Sequence, residues 1–350
     1  MLDFSSIQSL LQENLPQQET DLNLMHGSMH SQIWLHEERR ERACILFHGF
    51  TAGPYQMVPL GERLFASGYN VVAPLLPGHG RSGNWSKDNP PPLPKTSQTY
   101  LKFALQWLKL VQRIGDKVVI GGLSGGGTLA TWLALEKADV IDRAVLFAPY
   151  LSASSKVIDL FVEHFDTYYQ WGNTNGLCYK GFELPALRAI LDIGRYCLQR
   201  VKQGPVAPTF IISSESDKAV SNRDHLRFYE SAMEYQPHSW HIRFDRVLDI
   251  PHTMMTEEEG NTYQDLLNVL AMAFIESNLT WAEITEIGYR MSKGRTFLDV
   301  IDELGWQKKA SRDMPAVMTM VDKHAISVER ELEAQTGKRL RQIRRAHLDR

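Results

Sequence analysis

The feature that most constrains this chain is an apolar, β-branched run that ends in a cluster of glycines around one serine. It reads Val-Val-Ile-Gly-Gly-Leu-Ser-Gly-Gly-Gly over residues 118–127. Within it, Gly122-x-Ser124-x-Gly126 matches the G-x-S-x-G pattern, in which a sharp turn between a strand and a helix exposes the serine hydroxyl above a sheet. Glycine tolerates the close backbone approach that such a turn requires. We predict a nucleophile elbow at Ser124, with a plain tight turn as the alternative.

A phosphate-binding loop is a further alternative for these glycines. Gly121 and Gly126 have the glycine spacing of a Walker loop, but Gly127 follows where that loop carries lysine. The run also lacks the G-x-G-x-x-G pattern of dinucleotide-binding loops. The glycines therefore fit an elbow better than a phosphate cradle.

Length and composition limit the class of protein. The chain has 350 residues, of which 43% are hydrophobic, so it can bury one large domain and carry an appendage. Its net charge of −3 gives no general attraction to nucleic acid or to an anionic membrane. The N-terminus lacks the basic and apolar regions of a secretory signal, and the longest apolar stretch, residues 266–275, is too short to span a bilayer.

The three cysteines predict neither a disulfide framework nor a metal site. Cys44, Cys178 and Cys197 have no metal-ligand spacing, and their number is odd. We expect reduced thiols in a cytoplasmic protein that needs no metal and no cofactor.

Apolar strand-like runs alternate with helix-like segments along most of the chain. The predicted strands are residues 31–35, 42–47, 70–75, 118–123, 143–147, 209–212 and 239–244. Because most of these runs are continuously apolar, we predict a mostly parallel α/β sheet that helices cover on both faces. Right-handed crossovers then bring the carboxyl ends of the strands, and the loops after them, to one edge. Phe50, His79 and Ser124 follow strands and are expected at that edge.

This alternation breaks over residues 151–204. Two helix-like stretches, 157–169 and 184–202, flank a loop that contains glycine. The segment is rich in aromatic residues, namely Phe161, Phe165, Tyr168, Tyr169, Trp171, Tyr179, Phe182 and Tyr196. Because it follows the strand beside the elbow strand, we predict a helical lid over the site. An ordinary packed helical insertion is the alternative.

The two ends of the chain carry no recognisable chemistry. Residues 1–20 predict a short helix or arm, with Pro16 ending any helix. Residues 279–350 predict a C-terminal helical extension, with helices near 296–304 and 317–334 after a capping box at residues 280–283. We interpret the basic segment 337–350 as a solvated tail, with binding to nucleic acid or to an anionic surface less favoured.

An elbow serine needs a base, and the base needs an orienting carboxylate, in the chain order serine, acid, histidine. His252 follows the last strand in a polar loop, and no other histidine after the elbow has this placement. Asp217 follows the strand at 209–212, so its carboxylate is free to point at the imidazole. Glu215 and Asp249 are the alternatives for the acid.

The oxyanion of acyl transfer needs two aimed N–H donors. One is expected from Gly125, directly after the serine. The other is expected from the loop after the strand at 42–47, where Phe50 is the candidate and Thr51 its alternative. We interpret His48 as a residue that braces this loop rather than as a second base.

Five motifs together resemble the α/β-hydrolase superfamily, and within it the bacterial carboxylesterases and monoacylglycerol lipases. They are His48-Gly49-Phe50-Thr51, Pro77-Gly78-His79-Gly80-Arg81-Ser82, Gly122-Leu123-Ser124-Gly125-Gly126, Asp217-x-x-Val220 and Pro251-His252. The resemblance covers about residues 30–278 and implies an α/β-hydrolase domain over 21–278, with 151–204 as its lid. It implies a catalytic triad of Ser124, Asp217 and His252. It also implies Phe50 and Gly125 as the oxyanion donors.

Two features depart from this resemblance. Three consecutive glycines follow the serine where relatives often have a bulkier residue, so we expect a more open oxyanion wall. The extension that begins at Asn278 has no counterpart in the family pattern.

These observations predict a serine hydrolase that cleaves carboxylic esters of apolar acyl chains, with a small-molecule or lipid-like ester as its partner. A thioesterase, an acyltransferase or a peptidase would use the same triad, and the architecture does not separate them. A non-catalytic binding protein with this fold is a further alternative. Removing residues 337–350 should leave the turnover of small esters intact.

Overall fold

The computed structural model describes residues 3–170, 178–332 and 335–336. The strands in these ranges are β1 (Gln32–Trp34), β2 (Arg40–Phe47), β3 (Asn70–Ala73), β4 (Gly115–Leu123), β5 (Ile141–Phe147), β6 (Tyr168–Gln170), β7 (Gly181–Glu183), β8 (Thr209–Ser214) and β9 (Trp240–Phe244). The α-helices are α1 (Phe4–Ser9), α2 (Leu15–Thr20), α3 (Val58–Ala66), α4 (Ser97–Ile114), α5 (Gly125–Glu136), α6 (Lys156–His164), α7 (Leu184–Arg200), α8 (Asn222–Met233), α9 (Gln264–Glu276), α10 (Trp281–Ser292), α11 (Phe297–Leu304) and α12 (Met314–Met320).

Seven of the described strands form one sheet in the order β1-β3-β2-β4-β5-β8-β9. Strand β1 is antiparallel to β3, and every other neighbouring pair is parallel. Every residue of β3 and of β8 is buried, as it must be in a strand with both faces covered. The mostly parallel, helix-flanked sheet predicted from the apolar runs is confirmed.

Several helices pack directly on the strands of this sheet. Helix α4 lies against β2 and β4, and α5 lies against β4 and β5. Helices α3 and α9 contact each other, and they pack on β3 and β5 respectively. The carboxyl ends of β2, β4, β5, β8 and β9 remain at one edge, where their loops form the site.

The segment between β5 and β8 differs in part from its prediction. The first helix, α6, ends at His164, and the following residues form the antiparallel pair β6–β7. Tyr168 and Tyr169 are therefore in a strand and not in a helix, consistent with the preference of aromatic side chains for strands. Arg188 of α7 caps the carboxyl end of α6 by donating to the carbonyls of Val162 and Phe165, each at 2.9 Å. Trp171 and the loop around it lie outside the described residues.

The N-terminal helix continues past Pro16, so the prediction that this proline ends it is wrong. A π-helical turn, Leu10–Asn14, joins α1 to α2. The wider turn accommodates a residue that lacks an N–H and whose ring would clash with the carbonyl four residues earlier in an α-helix. The arm is anchored, because Ile7 and Leu11 are buried at its contact with α4.

The C-terminal region is helical, and α10 begins at the predicted Thr280–Glu283 capping box. Helix α12 packs against α9. The single helix predicted over residues 317–334 is interrupted, because Val321 is extended and buried and the helix resumes at residue 323. The Asp322 carboxylate accepts the N–H of Ala325 at 2.8 Å and so caps the second segment.

The basic segment 337–350 lies outside the described residues. Among the helices in the described ranges, none combines the length and the apolar character needed to cross a bilayer.

Candidate active site

The turn between β4 and α5 has the geometry of the predicted elbow. Ser124 adopts φ 53° and ψ −115°, a conformation that a residue with a side chain rarely holds unless its surroundings impose it. Its N–H donates to the carbonyl of Phe147 at 2.9 Å, and its own carbonyl accepts the N–H groups of Thr128 and Tyr150 at 2.8 and 3.0 Å. Hydrogen bonds to β5, to the loop after it and to α5 therefore hold the strained serine in place.

Two glycines in this turn cannot carry a side chain. A Cβ atom on Gly126 would lie 2.2 Å from the carbonyl oxygen of Phe47, and one on Gly122 would lie 2.5 Å from the carbonyl carbon of Gly126. The contacts are with backbone atoms, which cannot turn aside as a side chain can. This close approach explains the G-x-S-x-G spacing.

The structure brings the three residues predicted from chain order into one hydrogen-bonded series. His252 lies in the loop after β9, and its Nε2 atom is 2.9 Å from Oγ of Ser124. Its Nδ1 atom is 2.7 Å from Oδ2 of Asp217, which follows β8. Residues that are distant in sequence meet because the strands before them are parallel and end at one edge.

Asp217 is held as an ionised carboxylate. Its side chain is fully removed from solvent, and its Oδ1 atom accepts the N–H groups of Ala219 at 2.7 Å and Val220 at 3.3 Å. Burial raises the pKa of Asp217, but the charge and hydrogen bond of His252 and these two N–H groups outweigh it, so the pKa lies below its usual value.

The two alternative acids are placed differently. Glu215 pairs with Arg243 at 3.0 Å, and Asp249 is exposed in the left-handed region with φ 43°. Among the described residues, Asp217 is the carboxylate that bonds to His252.

The loop after β2 lies directly against the elbow. A Cβ atom on Gly125 would lie 3.5 Å from the amide nitrogen of Phe50 and 3.2 Å from its Cβ. Gly125 begins α5, where the N–H groups have no acceptor within the helix. In the described part of the chain, the Phe50 N–H makes no hydrogen bond either. Both N–H groups predicted as oxyanion donors are therefore unengaged and close to Ser124.

Phe50 and Ile190 of α7 line the wall beside Gly125. A Cβ atom added to this glycine would lie 3.2 Å from Cβ of Phe50 and 3.6 Å from Cγ2 of Ile190. The more open oxyanion wall expected from the sequence stays a prediction.

His48 braces the loop, as predicted. Its Nε2 atom accepts the N–H of Leu76 at 2.9 Å, so its Nδ1 carries the proton and donates to the Gly49 carbonyl at 2.9 Å. Burial lowers the pKa of His48 well below its usual value, which keeps the ring neutral. Thr51, the alternative donor, is buried, and its carbonyl accepts the N–H of Tyr179 at 3.1 Å.

The inserted segment borders the site from the other side. The Phe50 ring meets Phe182 of β7 edge-on at 5.0 Å between centroids, and it meets His79 in the same way at 5.7 Å. His79 is buried, and burial lowers its pKa to about 4. Apolar and neutral groups thus line this side of the predicted oxyanion loop.

Sequence reasoning missed two polar residues behind this loop, Gln56 and Glu259. Gln56 is almost completely buried and bonds to both Gly49 and Glu259. Glu259 is the last of three consecutive glutamates, and Gln56 lies among apolar positions that follow Pro54. Neither residue carries a local sequence signal that separates a buried polar pair from solvated side chains.

Comparison with known proteins agrees with this architecture. A family model for the alpha/beta hydrolase fold matches residues 43–188, which include the loop after β2 and the elbow. The chain has the α/β-hydrolase fold.

This α/β-hydrolase-fold chain resembles lipases and esterases in particular. It is 35% identical over 96 residues to a thermostable monoacylglycerol lipase of Bacillus sp. (strain H-257), a match that spans 27% of this chain and 36% of that lipase. Among solved structures, it is similar to one from a study of two metagenome-derived lipolytic enzymes, with a TM-score of 0.57, 19% identity, and coverage of 71% of this chain and 98% of the other.

A monoacylglycerol lipase of Paleococcus ferrophilus gives a comparable fold match. The TM-score is 0.55 at 15% identity, and the match covers 69% of this chain and 96% of the lipase. At these identities the two structural similarities bear on the fold alone.

Proposed function

We propose that this protein is a serine hydrolase that cleaves carboxylic esters of apolar acyl chains through an acyl-enzyme. The observation that carries the proposal is the continuous series of hydrogen bonds from Asp217 through His252 to Ser124 at a strained elbow. A histidine without a catalytic role is not expected to bond to a buried carboxylate through one ring nitrogen and to an elbow serine through the other.

The hydrogen bonds define the role of each residue. Because the Asp217 carboxylate can only accept, it holds the proton on Nδ1 of His252 and leaves the Nε2 lone pair facing the Ser124 hydroxyl. As Oγ attacks the ester carbonyl, Nε2 takes the hydroxyl proton and then delivers it to the departing alcohol. Water repeats the same sequence on the acyl-enzyme and releases the acid.

The developing negative charge on the carbonyl oxygen needs fixed donors. The N–H groups of Phe50 and Gly125 are unengaged in the described part of the chain and lie on adjoining segments beside Ser124. We assign both to the oxyanion hole, where such donors lower the barrier because no solvent has to reorganise.

Apolar surroundings favour an apolar acyl group. Phe50 and Ile190 lie beside Gly125, the residue after the nucleophile, and Phe182 packs on Phe50. Ile190 and Phe182 come from the segment 151–204. We propose that this segment is the lid of a catalytic unit spanning 21–278. The name of the sequence relative, a thermostable monoacylglycerol lipase, supports a lipid-like ester. Because the cysteines are unpaired, we also propose that the protein works in the reducing environment of the cytoplasm.

Hydrolysis of p-nitrophenyl esters tests this function. Ser124→Ala should lower kcat by at least about 10³-fold, whereas the exposed Ser67→Ala should leave it unchanged. A fluorophosphonate probe should label the wild type and not Ser124→Ala. Wild-type turnover by Ser124→Ala would contradict the proposal, and a wild type that resists the probe would favour a non-catalytic binding protein.

The leaving group is tested with matched substrates. An acyl series of increasing length, offered as ester, thioester and amide, should give the highest kcat/KM for the esters of longer chains. A preference for the thioester or the amide would replace the esterase assignment with a thioesterase or a peptidase. Transfer to an added alcohol faster than to water would indicate an acyltransferase.

A further inference from the structure

A series of buried hydrogen bonds connects the loop that carries His252 to the loop that carries Phe50. The Gln56 side chain donates from Nε2 to both carboxylate oxygens of Glu259, at 2.8 and 3.0 Å. Its Oε1 atom accepts the N–H of Gly49 at 2.8 Å. Gln56 is 1% exposed, so water does not replace these bonds. The amide therefore joins two loops through both of its polar atoms.

The Glu259 carboxylate anchors one end of this amide. Glu259 also accepts the hydroxyls of Tyr55 at 3.0 Å and Thr256 at 3.1 Å, so every described group around it is a donor. The NH2 of Gln56 donates to Glu259, and the oxygen of Gln56 accepts the N–H of Gly49, so each end of the amide faces a matching partner. The N–H of Gly49 can only donate, so it requires the same orientation of the amide, and Glu259 holds the other end of it.

Gly49 shares a peptide group with the proposed oxyanion donor. The carbonyl of Gly49 and the N–H of Phe50 belong to one planar unit and point in opposite directions. Two bonds hold that carbonyl, one from Nδ1 of His48 at 2.9 Å and one from the N–H of Ala52 at 3.2 Å. The bond from the Gly49 N–H to Gln56 holds the preceding peptide, so hydrogen bonds restrain the peptide groups on both sides of Gly49.

Glu259 is itself part of the turn that follows His252. Its carbonyl accepts the hydroxyl of Thr253 at 3.1 Å, and its N–H donates to Thr256 at 3.3 Å. The histidine loop is therefore folded around the carboxylate that anchors Gln56.

We propose that Glu259 and Gln56 are positioning residues for the oxyanion hole, in which Glu259 anchors Gln56 and Gln56 holds the peptide chain that aims the Phe50 N–H. This role rests on the proposed serine hydrolase function. It explains why a buried carboxylate and a buried amide occur together on the side of the loop away from the serine.

Steady-state kinetics and inhibition by a trifluoromethyl ketone test this role. The ketone forms a tetrahedral oxyanion on the serine, so its Ki reports the hole directly. Gln56→Met and Glu259→Met should each lower kcat about 10- to 100-fold, with KM within about threefold, and raise the Ki by a similar factor. Glu259→Gln keeps an acceptor and should recover most of the activity, and the exposed Glu257→Gln should match the wild type.

The double variant separates a relay, in which Glu259 acts through Gln56, from independent effects of the two residues. If Glu259 acts through Gln56, then Gln56→Met/Glu259→Met is no slower than Gln56→Met. Losses that multiply, or an unchanged kcat and Ki in Gln56→Met, would overturn the proposal. Should Gln56→Met fail to fold, Glu259→Met with a wild-type Ki overturns it equally.

Failure of the relay and failure of the function give different results. If Ser124→Ala retains ester turnover, the serine hydrolase assignment is wrong and the relay has no reaction to serve. If Ser124→Ala is inactive while the Gln56 and Glu259 variants keep wild-type kcat and Ki, only the relay is wrong.

Discussion

The Nδ1 atom of His252 lies 2.7 Å from Oδ2 of Asp217, whose side chain is fully removed from solvent. The second carboxylate oxygen of Asp217 is occupied by two backbone N–H groups, so the carboxylate cannot turn without losing them. This fixes both the direction of the imidazole and the nitrogen that carries its proton. Activity and acid stability should both depend on this one contact.

Replacing this carboxylate by an amide should nearly abolish activity. In Asp217→Asn the amide can donate to Nδ1, which moves the imidazole proton to Nε2 and leaves no base facing Ser124. We expect kcat on a p-nitrophenyl ester to fall by about 10⁴-fold at neutral pH. Asp249→Asn is the matched control, because Asp249 is exposed and asparagine accepts its left-handed conformation. Similar losses in both variants would contradict the assignment of the acid.

The same residue should contribute to acid sensitivity. Because the pKa of Asp217 is lower in the folded protein than in the unfolded chain, the carboxylate stabilises the fold above its usual pKa. As the pH falls below about 5, the unfolded chain takes up this proton first and the contribution is lost. Urea unfolding should therefore show a gap in unfolding free energy between wild type and Asp217→Asn that narrows from pH 7 to pH 3. A gap that stays constant over this range would mean that the carboxylate gains nothing from folding.

The main sheet and the contacts among the predicted site residues could be predicted because the patterns that indicate them lie within short stretches of the sequence. Continuous apolar runs identify buried parallel strands, and the carboxyl ends of such strands meet at one edge, which is where Asp217 and His252 lie. The elbow was recognisable because Gly122 and Gly126 are required by backbone contact, a constraint that leaves a fixed spacing in the chain.

Other features depend on contacts that no local pattern records. Gln56 and Glu259 are 203 positions apart, and neither residue type at its position distinguishes a buried relay from a solvated surface. The break at Val321 occurs where this side chain is buried, and the π turn before Pro16 relieves the clash of the proline ring. The pair β6–β7 has strands of only three residues, too short for their period to be read from sequence.

The thiols should be nearly inert in the folded protein. Burial raises the pKa of Cys178 to about 11, and it raises the pKa of Cys44 and Cys197 further. Since the thiolate is the reactive form, Ellman's reagent at pH 8 should react slowly with Cys178 and only on the timescale of unfolding with the other two. In urea, three thiols per chain should react at once. Fast reaction of all three in the native protein would show that Cys44 and Cys197 are not buried.

Gly126 should be required for the packing of the elbow and not for catalysis itself. In Gly126→Ala the new methyl group would lie 2.2 Å from the carbonyl oxygen of Phe47 and 2.4 Å from that of His48, so β2 and the elbow must separate. We expect the free energy of unfolding to fall by about 3 kcal/mol or more, as for severe overpacking. Gly27→Ala is the control, because a Cβ atom there has no neighbour within 4 Å, and its effect should stay within about 0.5 kcal/mol. Urea unfolding of both variants measures the difference, and equal stability would show that the two backbones do not approach each other at the elbow.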